Sequence, residues 1–171
     1  ASDDASEWLA WQHAIRTLHS TEGQPNIDAF VCIPTTSPLK SPDDVDACIR
    51  AFFDDDADVV ITVRTAEHNP YYNMVTLGEH GYARQVIQSE DTLYRREAYP
   101  TVYDMTTVAY VARPDFVLNS VSPFTGKVKA VQIPPERSLD IDTELDFKFA
   151  EFLMEHHSSD PTQKSGEEKG S

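Results

Sequence analysis

The sequence predicts an α/β domain in which strands and helices alternate around one sheet. Residues 29–33, Ala29-Phe30-Val31-Cys32-Ile33, are a continuous apolar run of the kind found in a parallel strand covered on both faces. A second buried strand is predicted over residues 59–63. Between them stands a helix start: Ser41 as N-cap, Pro42 at the first helical position, and Asp43 and Asp44 in the first turn. Strand, helix and strand of these lengths make a right-handed βαβ unit, in which ligands gather where loops leave the carboxyl ends of the strands. The loop over residues 34–40 lies at such an end.

Taken in chain order, Ser6 is placed to cap a helix reaching about residue 19, with Trp8, Trp11, Ile15 and Leu18 as its apolar stripe. The first strand follows a turn-rich stretch, and the helix begun at Pro42 runs to about residue 53 before the second strand. Residues 71–77 and 82–87 flank Gly78-Glu79-His80-Gly81, a connection that predicts an antiparallel hairpin. Strand character returns over 102–111. A short helix near 114–118 and a strand over 128–133 come next. Thr143 with Asp146 has the form of a capping box for a last helix over 144–156, with Leu145, Phe149, Phe152 and Leu153 expected to face inward. Residues 158–171 hold almost nothing apolar and read as a disordered polar tail, leaving residues 1–157 as one domain.

Composition excludes several functions. A formal net charge of −15 argues against a nucleic-acid duplex as partner, because phosphate neutralisation needs clustered Lys and Arg. No apolar run approaches the roughly 20 residues of a membrane span. The opening residues lack the basic and apolar regions of a signal peptide, and Cys32 and Cys48 read as small core residues, so a reducing, cytoplasmic setting is expected. None of the six histidines pairs by spacing with a Ser or Cys nucleophile.

The sharpest local feature is Ser138-Leu139-Asp140-Ile141-Asp142-Thr143-Glu144-Leu145-Asp146, between a predicted strand and a helix. In extended conformation Asp140 and Asp142 point the same way, so both carboxylates can meet one hard cation, for which Mg²⁺ with phosphate oxygens is the natural choice. The alternative is that these acids only cap the last helix and complement its dipole. Spacing alone does not separate the two.

Five blocks carry a resemblance. Pro34-Thr35-Thr36-Ser37-Pro38-Leu39-Lys40, Asn69-Pro70-Tyr71-Tyr72-Asn73-Met74-Val75, Arg95-Arg96-Glu97-Ala98-Tyr99-Pro100, Ala109-Tyr110-Val111 and Pro135-Glu136-Arg137-Ser138-Leu139-Asp140-Ile141-Asp142-Thr143-Glu144 occur in the order seen in the acylneuraminate cytidylyltransferases, or CMP-sialic acid synthetases. The chain resembles that family from about residue 1 to 153. The resemblance implies a Rossmann-like nucleotidyltransferase fold of the nucleotide-diphospho-sugar transferase type, a mostly parallel sheet carrying an antiparallel dimerisation hairpin. It implies transfer of CMP from CTP to the anomeric hydroxyl of a nine-carbon 2-keto sugar acid, with release of pyrophosphate.

Residue by residue, the resemblance assigns Mg²⁺ to Asp140 and Asp142, and the sugar acid to Thr36, Ser37, Arg96, Tyr110 and Phe124. It assigns the cytosine edge to Ala5 and Ser6. It further implies a homodimer in which Arg96 acts on the partner's site. Pro34 replaces a family Gln and Thr106-Thr107 a common Asn-Gly, which leaves the acid open among N-acetylneuraminate and its deaminated, pseudaminic and legionaminic relatives. The family's Gly-rich, basic triphosphate loop has no counterpart here, so residues 1–157 are expected to be part of a cytidylyltransferase domain that is inactive alone. Two other readings stay open: an inactive sugar-acid-binding or dimerisation module, and a CMP-Kdo synthetase-like enzyme.

Overall fold

The computed structural model describes residues 7–21, 26–88 and 98–157. Its helices are α1 (Glu7–His19), α2 (Pro42–Asp54), α3 (Pro114–Asn119) and α4 (Glu144–His157). Its strands are β1 (Phe30–Cys32), β2 (Val59–Thr65), β3 (Val75–Leu77), β4 (Ala83–Gln85), β5 (Tyr103–Ala112) and β6 (Val128–Gln132). The main sheet has the order β1-β5-β2-β6, and β3 pairs with β4 in a separate hairpin.

The main sheet is mixed. β1, β2 and β6 run one way, while β5 lies between β1 and β2 and opposes both. The apolar run over 29–33 is therefore not a strand covered on both faces: it sits at the sheet's edge, pairs antiparallel with β5 and is half-buried. The fully covered strand is β2. Its alternate side chains feed two cores, as period-two geometry requires. Val59, Ile61 and Val63 face Trp8, Trp11, Ile15 and Val117, whereas Val60 faces Cys48, Phe52, Val111 and Ile133. The result is three layers, with α1 and α3 on one face and α2 on the other.

The starts of α2 and α4 follow their sequence signals, while Ser6, the expected cap of α1, lies outside the described residues. Ser41 caps α2 through a reciprocal box, its Oγ accepting from the Asp44 amide at 3.3 Å while Asp44 Oδ2 accepts from the Ser41 amide at 2.9 Å. α1 is fixed to α3 by polar contacts at that helix's carboxyl end. Trp8 Nε1 donates to Ser120 O at 2.8 Å, and Gln12 Nε2 donates to Val117 O at 2.9 Å. Leu18, expected in the buried stripe, is exposed on the last turn of α1.

The hairpin forms as expected, its turn closed by left-handed backbone at His80 (φ 62°) and Gly81 (φ 80°). Its base is tied down by Asn69, whose side chain accepts from the Tyr71 amide and donates to Pro100 O, both at 3.0 Å. α4 departs from expectation. Ala150 is its buried contact, while Leu145 is 74% exposed and Phe149 and Phe152 lie half in solvent, so most of the apolar face points outward.

Candidate active site

The carboxyl ends of β1, β2 and β6 coincide, and three segments leave the sheet there: residues 33–41, 66–74 and 133–143. The first is held from three sides. Lys40 Nζ donates to the carbonyls of Pro34 and Ser37, the latter at 2.7 Å. Thr107 Oγ1 lies 2.7 Å from Ser37 Oγ and 3.3 Å from Thr36 Oγ1. The Ile141 amide donates to Thr36 O at 2.9 Å, which joins this loop directly to the Asp140-Ile141-Asp142 segment.

Thr107 reaches the loop because β5 is irregular there. The register jumps from Val60↔Val111 to Thr62↔Thr106, leaving extra β5 residues opposite Ile61. The buried Thr62 hydroxyl holds the bulge, donating to Thr106 O at 3.0 Å and accepting from Thr106 Oγ1 at 2.8 Å.

Asp140 and Asp142 line one cavity of about 250 Å³ with Arg64, Met105, Thr106, Ser138, Leu139 and Asp146. The capping alternative is met by another residue. Asp146 Oδ2 accepts from the Thr143 amide (2.8 Å), the Thr143 hydroxyl (2.7 Å) and the Asp142 amide (3.2 Å). The Thr143 hydroxyl, followed by these amides, holds the Asp146 carboxyl below its usual range. Asp140 and Asp142 are left out of the cap, and Asp140 Oδ1 is buried with no hydrogen-bond partner. A buried carboxylate oxygen without a donor is costly unless a cation meets it. Among the described residues no cluster of three or more His, Cys, Asp or Glu forms a metal cage. Two hard carboxylates, with the remaining oxygens coming from substrate and water, suit Mg²⁺.

Lys40 stands close enough to Asp140 to feel its charge. Burial lowers the Lys40 ammonium, and Asp140 partly restores it. Tyr110, opposite Cys32 in the register, is nine-tenths buried with its ring 5.2 Å from Trp11. Burial, then the charges of Glu7, Cys32 and Asp140, push its hydroxyl up to about 12. Burial and Glu7 likewise push the Cys32 thiol up to about 11, so neither group is a nucleophile near neutral pH.

The residues assigned from sequence thus divide. Asp140, Asp142 and the exposed Thr36 come together at one end of the sheet. Ser37 is there too, but it is fully buried and its hydroxyl is engaged by Thr107, so it shapes the loop and does not face a ligand. Tyr110 is a wall of the core beneath the site. Phe124 lies apart from them. It is 62% exposed in the turn before β6, at the opposite end of a strand roughly 16 Å long, because β6 runs parallel to β2 and carries the chain toward Asp140 only afterwards. Ala5, Ser6, Arg96 and residues 158–171 lie outside the described residues. Sequence reasoning missed Lys40, Thr107 and Arg64. The signal for Arg64 was a lone cation closing an apolar strand.

The mixed α/β sheet defines the fold class, and solved structures share that fold. The fold matches a 4-diphosphocytidyl-2C-methyl-D-erythritol synthase from Anaerococcus prevotii (TM-score 0.57, 14% identity, 88% of this chain and 67% of that one). It also matches a CMP:2-keto-3-deoxy-manno-octonic acid synthetase complexed with CTP (TM-score 0.56, 14% identity, 90% and 70%). The fold is that of the cytidylyltransferases.

Sequence relatives are more particular. The chain is 28% identical over 155 residues to a post-translational flagellin modification protein B of Campylobacter coli, covering 90% of this chain and 64% of the relative. It is 33% identical over 95 residues to a CMP-N,N'-diacetyllegionaminic acid synthase of Campylobacter jejuni, covering 56% and 39%. It is 30% identical over 118 residues to an N-acylneuraminate cytidylyltransferase of Streptococcus agalactiae, covering 69% and 28%. No protein-family model matches. The sequence is thus similar to acylneuraminate-type cytidylyltransferases, and the chain spans less than two thirds of the length of these relatives.

Proposed function

We propose that this chain carries the metal and acceptor part of an enzyme that transfers CMP from CTP to the anomeric hydroxyl of a nine-carbon 2-keto sugar acid of the sialic or legionaminic type, with release of pyrophosphate. The observation that carries the reading is the pair Asp140 and Asp142 in one cavity, Asp140 Oδ1 buried there without a hydrogen-bond partner, with Ile141 between them bonded to the hydroxyl-bearing loop at Thr36. The names of the sequence relatives support the choice of nucleotide and acid.

In this reading Asp140 and Asp142 hold Mg²⁺, which supplies charge neutralisation at the α-phosphate as pyrophosphate leaves. The chain's own residues position. Lys40 and Thr107 keep the loop over residues 34–40 in one conformation, so that Thr36 presents its hydroxyl beside the carboxylate pair. The acceptor's hydroxyl oxygen bonds to the α-phosphorus as the bond to the bridging oxygen of pyrophosphate breaks, the electron pair leaving with pyrophosphate and the hydroxyl proton passing to water. Catalysis here is mainly positioning and electrostatics, so a loop tied at three points is the kind of support it needs.

The same reading includes a homodimer assembled through the β3-β4 hairpin, and a cytoplasmic setting where CTP is available. The described residues contain no helix long and apolar enough to cross a membrane. The test is pyrophosphate release by the complete protein from CTP and Mg²⁺, with a panel of N-acetylneuraminate, its deaminated analogue, pseudaminate, N,N'-diacetyllegionaminate and the eight-carbon Kdo. Turnover with a nine-carbon acid is expected. Turnover with Kdo alone, or with none, would overturn the assignment.

A further inference from the structure

Arg64 lines the cavity that holds Asp140 and Asp142, and it is the one cation among the residues lining it. It stands one residue from the end of β2, where the buried apolar run gives way to solvent, with its side chain about a third exposed (34%). Its one protein partner among the described residues is Asp104, its register neighbour on β5, with Nε 3.4 Å from Oδ2. Among the described residues, neither terminal nitrogen of the guanidinium has a protein acceptor. Asp146 is engaged by the helix cap, so Arg64 is not drawn onto it.

Resting on the functional reading above, we propose that Arg64 binds the carboxylate of the acceptor acid through its two terminal nitrogens and so orients the attacking hydroxyl. In the cyclic form of a 2-keto sugar acid, the carboxylate and the anomeric hydroxyl share one carbon. Whatever brings that hydroxyl to the α-phosphorus therefore carries a carboxylate into a cavity already lined by two aspartates. The phosphate has the aspartate-bound cation as counter-charge; the second anion needs its own, and besides Arg96, which the resemblance assigns to the acid and which lies outside the described residues, Arg64 is the cation that this cavity supplies. A planar guanidinium with two free, parallel donors matches a carboxylate, and Asp104 at its Nε fixes the fork without covering those donors. Arg64 is thus a binding and positioning residue for the acid.

The test uses the complete protein, with Arg64→Met to keep the methylene stem, Arg64→Gln as a second neutral variant and Arg64→Lys to keep the charge. Thermal midpoints verify folding, and Arg64→Gln replaces Arg64→Met if the latter is unfolded. The acceptor is N-acetylneuraminate, or N,N'-diacetyllegionaminate where that is the better substrate, compared with its uncharged carboxamide. The neutral variants should raise KM for the acid roughly tenfold or more and abolish its preference over the carboxamide, while KM for CTP stays within about twofold and Arg64→Lys recovers part of the loss. An unchanged preference for acid over carboxamide overturns the proposal. So does a rise in KM for CTP instead, which would assign Arg64 to a phosphate. A wild-type protein that turns over no 2-keto sugar acid overturns the functional reading and this proposal together, whereas an active wild type with unaltered variants overturns this proposal alone.

Discussion

Thr107 shows how much one hydroxyl can decide. Sequence alone gave no reason to place it in the site. The β5 bulge aims it at Ser37, which is fully buried and depends on Thr107 Oγ1 at 2.7 Å for its partner. Removing that partner leaves a buried hydroxyl unsatisfied, at a cost of about 1–3 kcal/mol. Thr107→Val should lower stability by that order in urea denaturation and raise KM for the acid, since the loop bearing Thr36 is released. Thr107→Ser, which keeps the oxygen, should restore both. Equal stability of the Val variant and wild type would show that the hydroxyl pair is incidental.

At the scale of elements, most starts and types were legible because they rest on local chemistry. The Ser41-Pro42-Asp43-Asp44 start, the Gly-containing hairpin turn and the Thr143-Asp146 cap need only neighbours in sequence, and all three formed. Strand partnership was not legible. Nothing within residues 29–33 says that β5 will lie beside it in the opposite sense, so a half-buried edge strand and a doubly covered one look alike in an apolar run of this length. The position of Phe124 was not legible for the same reason, since parallel pairing of β6 with β2 is a long-range fact. The pair Asp140 and Asp142 was legible as a motif, and its freedom from capping was legible only in three dimensions.

One long-range link between elements makes a prediction of its own. Asp44, nearly buried at the start of α2, accepts from Arg137 Nε at 2.9 Å and Nη2 at 3.0 Å, in the turn just ahead of Asp140. Burial by itself would raise the Asp44 carboxyl, but hydrogen bonds from Arg137 and Ser41 outweigh it and hold the group below its ordinary range. A depressed folded-state pKa means that the stabilisation is present above the unfolded value, near 3.9, and is lost as pH falls through the folded value. Asp44→Asn should therefore destabilise by roughly 2–4 kcal/mol near neutrality. The difference from wild type should shrink below about pH 4. Denaturation curves at pH 3 to 7 would check it, and a difference that is constant across that range would count against the link.

For the whole molecule, the feature left unexplained by a single copy is its outward apolar surface. Val75, Leu77, Tyr82, Val86 and Ile87 of the hairpin region are all exposed, with Leu77 at 73%. A lone two-stranded hairpin is marginal in water and needs a covering surface. If two copies meet through it, Leu77→Asp should convert a dimer to a monomer in light scattering while the circular dichroism of the α/β core stays unchanged. A wild-type monomer at micromolar concentration would remove the hairpin's assigned role.

The account as a whole stands on Asp140 and Asp142 sharing one cation, and manganese binding followed by electron paramagnetic resonance measures that sharing without requiring turnover. Wild type with CTP should bind one Mn²⁺, displaced by Mg²⁺, and Asp140→Asn and Asp142→Asn should each weaken it by roughly tenfold or more, since each removes one hard oxygen ligand. Unchanged manganese affinity in either variant, with the fold intact, would contradict the account at its centre.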